Sequence, residues 1–165
     1  MSTQLQLDGS IAVEGDRATV TFERRYPKRR ADVWDAITNP DRLAQWLDDT
    51  TLDLRVGGAF VVHFGDAPMR GTITDLEPGT LIAYSWHEGR PDASHVRWEL
   101  SDDGEGTRMR LIHTRLAATS PDGFAAGWHQ HLEQLESLLG GQELGWSDAR
   151  FAELRAGYRA TLSPH

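Results

Sequence analysis

From position 51 to 113 the sequence is a succession of short alternating apolar runs separated by turn signals, and one long amphipathic stretch follows. This succession constrains the fold more than any single motif. Runs joined by hairpin-length turns can pair only as antiparallel neighbours, since a parallel pair needs a long crossover. The expected strands cover 59–64, 69–76, 81–87, 94–101 and 107–113, with a sixth beginning near Thr51. Gly57-Gly58 precedes the first of these, Gly65-Asp66-Ala67-Pro68 and Pro78-Gly79 separate the next two, and Gly89-Arg90-Pro91-Asp92 and Asp102-Asp103-Gly104-Glu105-Gly106 supply the later turns. Pro and Gly at these places favour tight turns and oppose continuation of a strand.

Upstream, 18–26 reads as a strand in which Val20 and Phe22 alternate with Thr19, Thr21 and Glu23. Residues 1–16 read as an extended lead-in carrying Leu5 and Leu7, a turn at Asp8-Gly9-Ser10, then Ile11 and Val13. Two short helices separate the first strand from the rest. One covers about 31–38, with Val33, Trp34 and Ile37 on one side, and the next carries Leu43, Trp46 and Leu47. Asn39-Pro40 suits the junction, because Asn is a good N-cap and Pro is tolerated at the first helical position. After the strands, Ser120 as N-cap and Pro121 at the first helical position start a long helix, and Gly140-Gly141 stops it; Phe124, Trp128, Leu132, Leu135 and Leu139 form its apolar stripe. A last helix is expected from Asp148 to about Thr161, capped by Ser147, with Trp146 stapled onto Phe151.

A bent antiparallel sheet has one concave apolar face, and one amphipathic helix laid across it can cover that face. Alternation places Phe60, Val62, Phe64, Gly71, Ile73, Ile82, Tyr84, Trp86, Val96, Trp98, Leu100, Met109, Leu111 and His113 on that side. Trp34, Trp46 and Trp128 are expected to face them from the helices. The expected ligand-contacting set is Trp34, Trp46, Phe60, Phe64, Ile73, Tyr84, Trp86, Trp98, Met109, His113 and Trp128. For any one of these aromatics, plain core packing is the competing explanation.

Several segments resemble a known family. Val33-Trp34-Asp35-Ala36-Ile37-Thr38-Asn39-Pro40-Asp41-Arg42-Leu43-Ala44-Gln45-Trp46 resembles the two-helix segment of the START-like (SRPBCC) superfamily. Val56-Gly57-Gly58-Ala59-Phe60, Leu81-Ile82-Ala83-Tyr84-Ser85-Trp86 and Gly106-Thr107-Arg108-Met109-Arg110-Leu111-Ile112-His113 are similar to strands of its heat shock protein 90 ATPase activator homologue-like branch. Gly127-Trp128 with Leu132, Leu135 and Leu138 is similar to its long helix. The resemblance covers about 17–141 and implies an α+β helix-grip fold, a curved antiparallel sheet wrapped around a long C-terminal helix. The domain plan that follows is a lead-in over 1–16, a START-like domain over 17–141 and a helical extension over 142–165 packing on the same domain. The superfamily holds carriers, receptors, cyclases and proteins of other roles, so fold alone does not select a function.

Composition and motifs narrow the choice. The formal net charge of −8 disfavours non-specific nucleic-acid binding, and the local cluster Arg24, Arg25, Lys28, Arg29 and Arg30 reads as a solvated strand end and helix start. There is no cysteine, hence no disulfide or thiolate chemistry. With no signal-like start and no apolar run of spanning length, the expected location is the cytoplasm. No nucleophile elbow or phosphate loop is present. His129 and His131 point about 200° apart on one helix and cannot share a metal ion. Asp48, Asp49 and Asp53 sit near the expected pocket mouth and read as surface residues. No metal or cofactor is expected. The leading expectation is a non-catalytic binder of a small hydrophobic or amphipathic molecule. One alternative is an enzyme of the polyketide cyclase, dehydrase or hydrolase kind using His113 and Tyr84. Another is a protein-interaction module that contacts a chaperone or a second copy of itself.

Overall fold

The computed structural model describes residues 7–64, 66–91 and 93–162; the expectations at Leu5, Gly65 and Asp92 lie outside them. In chain order the elements are β1 Ser10–Glu14, β2 Arg17–Tyr26, α1 Arg30–Thr38, α2 Pro40–Trp46, β3 Thr50–Leu52, β4 Ala59–Val62, β5 Met69–Glu77, β6 Leu81–Trp86, β7 Ser94–Asp103, β8 Gly106–Ala117, α3 Pro121–Leu139 and α4 Asp148–Leu162. All eight strands join one antiparallel sheet in the order β1-β2-β8-β7-β6-β5-β4-β3. This is the α+β helix-grip arrangement, with α3 laid against the concave face. Among the described residues no helix is long and apolar enough to cross a membrane.

Two irregularities bend the sheet. The β2–β8 register shifts between Ala18 and Val20, where Arg115 takes a φ of 62°, and β5–β6 shifts between Ile73 and Asp75. An extra residue on one strand of a pair kinks it and increases its twist, which lets a sheet this wide curl around one helix. Gly71 marks the closest backbone approach: a Cβ there would collide with the Ser85 carbonyl on β6.

The inward set read from alternation is buried, Phe64 excepted, which is half-buried two residues beyond the end of β4. Asn39 caps α2 by accepting from the Asp41 amide at 3.0 Å. Ser120 does not cap α3 with its side chain; its hydroxyl instead accepts from Arg155 at 3.2 Å. At the other end of α3, Gly141 adopts φ 81°, and the amides of Gly141 and Gln142 donate to the Leu138 and Ser137 carbonyls. That pairing is a Schellman stop, which a left-handed glycine makes inexpensive. Ser147 accepts from the Arg150 amide, and the Trp146 and Phe151 rings meet at 5.7 Å, so both features expected at the start of α4 are present.

The last helix packs on α3 of its own chain. Leu154 and Tyr158 are buried, Arg150 forks onto Glu133 at 2.6 and 3.1 Å, and Asp122 receives Arg155 and Arg159. The Tyr158 hydroxyl accepts from the Gly9 amide and bonds to Nδ1 of His129 at 2.7 Å, tying the N-terminal and C-terminal segments to α3. In the basic cluster, Arg24, Arg25 and Arg30 pair with Asp8, Asp103 and Asp102.

Candidate functional site

Where the sheet meets the middle of α3, aromatic rings fill the interior. Phe60 stacks on Tyr84 with centroids 3.9 Å apart, and the Trp98 indole donates to the Tyr84 hydroxyl at 2.9 Å. Trp46 meets Trp98 edge-on, and its own indole donates to the Ala36 carbonyl at 2.7 Å. Trp128 meets Trp98 edge-on from the helix. Edge-to-face contacts such as those of Trp46 and Trp128 with Trp98 suit the ring quadrupoles, and the polar atoms of Trp46, Trp98 and Tyr84 have all found partners. Tyr84 therefore anchors a packed layer, and burial pushes its hydroxyl well above the ordinary phenol pKa.

His113 belongs to the same layer. It is fully buried; Trp128 Nε1 donates to its Nδ1 at 2.9 Å, and its Nε2 lies 2.7 Å from the Ser94 hydroxyl. Since the indole can only donate, Nδ1 carries the lone pair and Nε2 carries the proton. Burial, reinforced by the nearby His87 and His95, lowers its pKa to about 3. Both ring nitrogens are engaged, so His113 has no free lone pair with which to act as a base. Its contacts are those of a hydrogen-bonded histidine within the packed layer.

Among the described residues, space between sheet and helix opens as a cleft at one end of this layer. Leu47, Phe64, Trp86, Gly123, Phe124, Gly127, Trp128 and His131 enclose a cavity of about 120 Å³. A second cavity of about 270 Å³, lined by Leu47, Asp48, Phe64, His131, Gln134 and Trp146, adjoins it through their shared walls. Of the expected contact residues, Phe64, Trp86 and Trp128 line the cleft. Trp46, Phe60, Tyr84, Trp98 and His113 pack behind it, and Ile73 and Met109 are buried core residues. Trp34 is half-buried against the core from α1 and lines neither cavity.

Sequence reasoning missed His131, Phe124, Leu47 and the helical glycines as cleft residues. A signal was available: positions 124, 128 and 131 lie on one face of α3. His131 is the polar element at the junction of the two cavities. Its ring lies 6.3 Å from Phe64, 6.4 Å from Trp128, 6.5 Å from Trp46 and 4.9 Å from Trp146. Its Nδ1 is 2.9 Å from Gln134 Oε1 and 3.3 Å from the Trp46 carbonyl. Burial lowers its pKa below the ordinary imidazole value, although the contacts with Gln134 and the Trp46 carbonyl oppose this. The ring is neutral at pH 7. Among the described residues no group of three or more His, Asp or Glu side chains is arranged to hold a metal ion.

Comparison with known proteins agrees with this architecture. No curated protein matches the sequence significantly. The crystal structure of CalU16 from Micromonospora echinospora superposes with a TM-score of 0.76 at 26% identity, covering 92% of this chain and 96% of that one. A protein of Bordetella parapertussis, BPP1335, aligns over 100% of this chain and 97% of its own at 26% identity, with a TM-score of 0.73. EF2215 from Enterococcus faecalis, a conserved protein of unknown function, has a TM-score of 0.80 at 18% identity over 93% and 90% of the two chains, a likeness of fold alone. The family described as "Activator of Hsp90 ATPase homolog 1-like protein" matches residues 28–140, and the chain belongs to that family, within the START-like superfamily.

Proposed function

We propose that this protein binds a small hydrophobic or amphipathic molecule in the cleft between Phe64, Trp86 and α3, and holds it without transforming it. The observation that carries the reading is a cleft walled by aromatic rings beside a packed aromatic layer. A cavity of about 150 Å³ with apolar walls stays dry and takes up a benzene-sized molecule. The inner space of about 120 Å³ suits one ring or a short aliphatic branch, and the adjoining space suits the rest of the ligand. Glycine within a helix costs about 0.5–1 kcal/mol relative to alanine. Neither Gly123 nor Gly127 is required by close packing, since a Cβ at either would meet nothing nearer than 3.8 Å. The nearest neighbours such a Cβ would meet are Arg155 and Phe151 of α4, not cleft residues, so both glycines border the cleft with their backbone.

Holding rather than reacting follows from the polar groups. His113 and Tyr84 are engaged with Ser94, Trp128 and Trp98, so the residues that would serve a cyclase or hydrolase are committed to packing. Native mass spectrometry of freshly purified full-length protein, repeated after denaturing extraction, tests the proposal. A discrete extra mass lost on extraction is the expected result. A bare chain that also leaves its tryptophan fluorescence unchanged when titrated with naphthalene derivatives would refute it.

A further inference from the structure

A relay of hydrogen bonds sets the character of the His131 ring, which lines both cavities. The Gln134 side-chain amide donates to the Leu144 carbonyl at 3.0 Å, and a carbonyl only accepts, so the amide orientation is fixed. Gln134 Oε1 is then the atom that faces His131 Nδ1 at 2.9 Å, and it too only accepts. His131 must therefore carry its proton on Nδ1, which also leans toward the Trp46 carbonyl. The neutral ring is left with its lone pair on Nε2, for which the described residues supply no hydrogen-bond partner. The ring edge bearing that lone pair belongs to a side chain lining both cavities.

Building on the ligand-cleft reading above, we infer that His131 is a specificity-determining hydrogen-bond acceptor, and that the cleft selects planar aromatic molecules bearing a neutral hydroxyl or N–H donor. Planarity follows from the walls, since Phe64, Trp86, Trp128 and Trp146 offer ring faces and edges that favour stacked or edge-on partners. The donor follows from Nε2, an unpartnered acceptor that a bound unfunctionalised hydrocarbon would desolvate without replacing its hydrogen bond to water. Neutrality follows from the mouth. Asp48 lines the outer cavity and the chain carries a formal charge of −8, so a carboxylate or sulfonate is repelled. Gln134 is a positioning residue: it acts through the imidazole tautomer.

The test is a titration of the full chain with four probes of one ring size: naphthalene, 2-naphthol, 2-methoxynaphthalene and 2-naphthoate, followed by calorimetry and tryptophan fluorescence. The expected order places 2-naphthol roughly tenfold tighter than the methyl ether, with naphthoate the weakest, the tenfold factor being that of one satisfied hydrogen bond. His131→Phe should abolish the preference for naphthol over its ether. Nitrogen-15 histidine spectra of the wild-type chain supply a readout independent of any variant's folding. They should show a protonated Nδ1 and an Nε2 resonance that moves on adding naphthol but not the ether. In Gln134→Leu the same spectra should show a mixture of tautomers. If all four probes fail to bind, the selection for planar aromatic donors is overturned, and if native mass spectrometry also shows a bare chain the ligand-cleft reading itself falls. If naphthol and its ether bind equally, or the preference survives His131→Phe, the cleft stands and the acceptor role of His131 is overturned.

Discussion

His113 gives the most quantitative test of the packed aromatic layer. The ring is fully buried and its pKa is about 3 in the folded chain, against about 6.5 when exposed. Between those values the unfolded chain binds a proton that the folded chain refuses. Stability therefore rises with pH there, and the contribution, fully present above pH 6.5, is lost as the pH falls toward 3. One proton of difference corresponds to a slope of about 1.4 kcal/mol per pH unit, so lowering the pH from 7 to 4.5 removes about 2–3 kcal/mol through this group alone. That is a large share of the roughly 5–15 kcal/mol that typically holds a domain together.

His95, His129 and His131 are also held below their ordinary values, chiefly by burial, so the whole-protein curve is steeper still. His113→Gln isolates the one group, because an amide keeps a donor and an acceptor in the layer and cannot titrate. Urea unfolding of both proteins at steps of pH should show the wild type losing its advantage over the variant as the pH falls. Its relative stability should drop by about 2–3 kcal/mol by pH 4.5. Parallel curves would mean that His113 does not stay neutral in the folded layer, and the hydrogen-bond assignment to Trp128 and Ser94 would be wrong.

Other outcomes follow from the same contacts. Gly71→Ala drives a methyl group into the Ser85 carbonyl and should cost about 1–3 kcal/mol or more in chemical denaturation. Trp46→Phe removes the donor to the buried Ala36 carbonyl, and a loss of about 1–3 kcal/mol with an unchanged far-ultraviolet spectrum is expected. Burial alone would raise the pKa of Asp122, but the Arg155 hydrogen bond, its own backbone amide and the charges of Arg159 and Arg155 hold it below the usual carboxylate value. Its contribution is thus present above the ordinary carboxylate pKa and fades as the pH falls through the depressed one. Asp122→Asn should loosen α4 at neutral pH, read as faster proteolysis in the exposed 142–146 segment.

The element order was readable because each signal is local. Alternation with period two marked the buried faces of β4 to β8, Asn39-Pro40 marked a helix junction, and Gly140-Gly141 marked a stop. All of these depend on neighbours within a few positions. The cap expected from Ser120 is not made; its hydroxyl instead accepts from Arg155, far along the chain. Membership of the cleft was less legible. Trp98 and Trp86 both lie on the concave face, yet Trp98 is sealed behind the Tyr84 hydroxyl while Trp86 borders open space. Alternation gives the side of a sheet a residue occupies, not what stands opposite it.

The sequence by itself thus determined the antiparallel sheet, the covering helix, the aromatic character of the space between them and the family, because these rest on periodicity and turn chemistry. Only the tertiary structure decided which rings became core and which became wall. It likewise determined that His113 would be saturated and His131 left with a lone pair. A histidine's chemistry depends on the partners of its two nitrogens, and those partners come from Ser94, Trp128, Gln134 and Trp46. Only the folded chain brings the more distant of them within hydrogen-bonding distance.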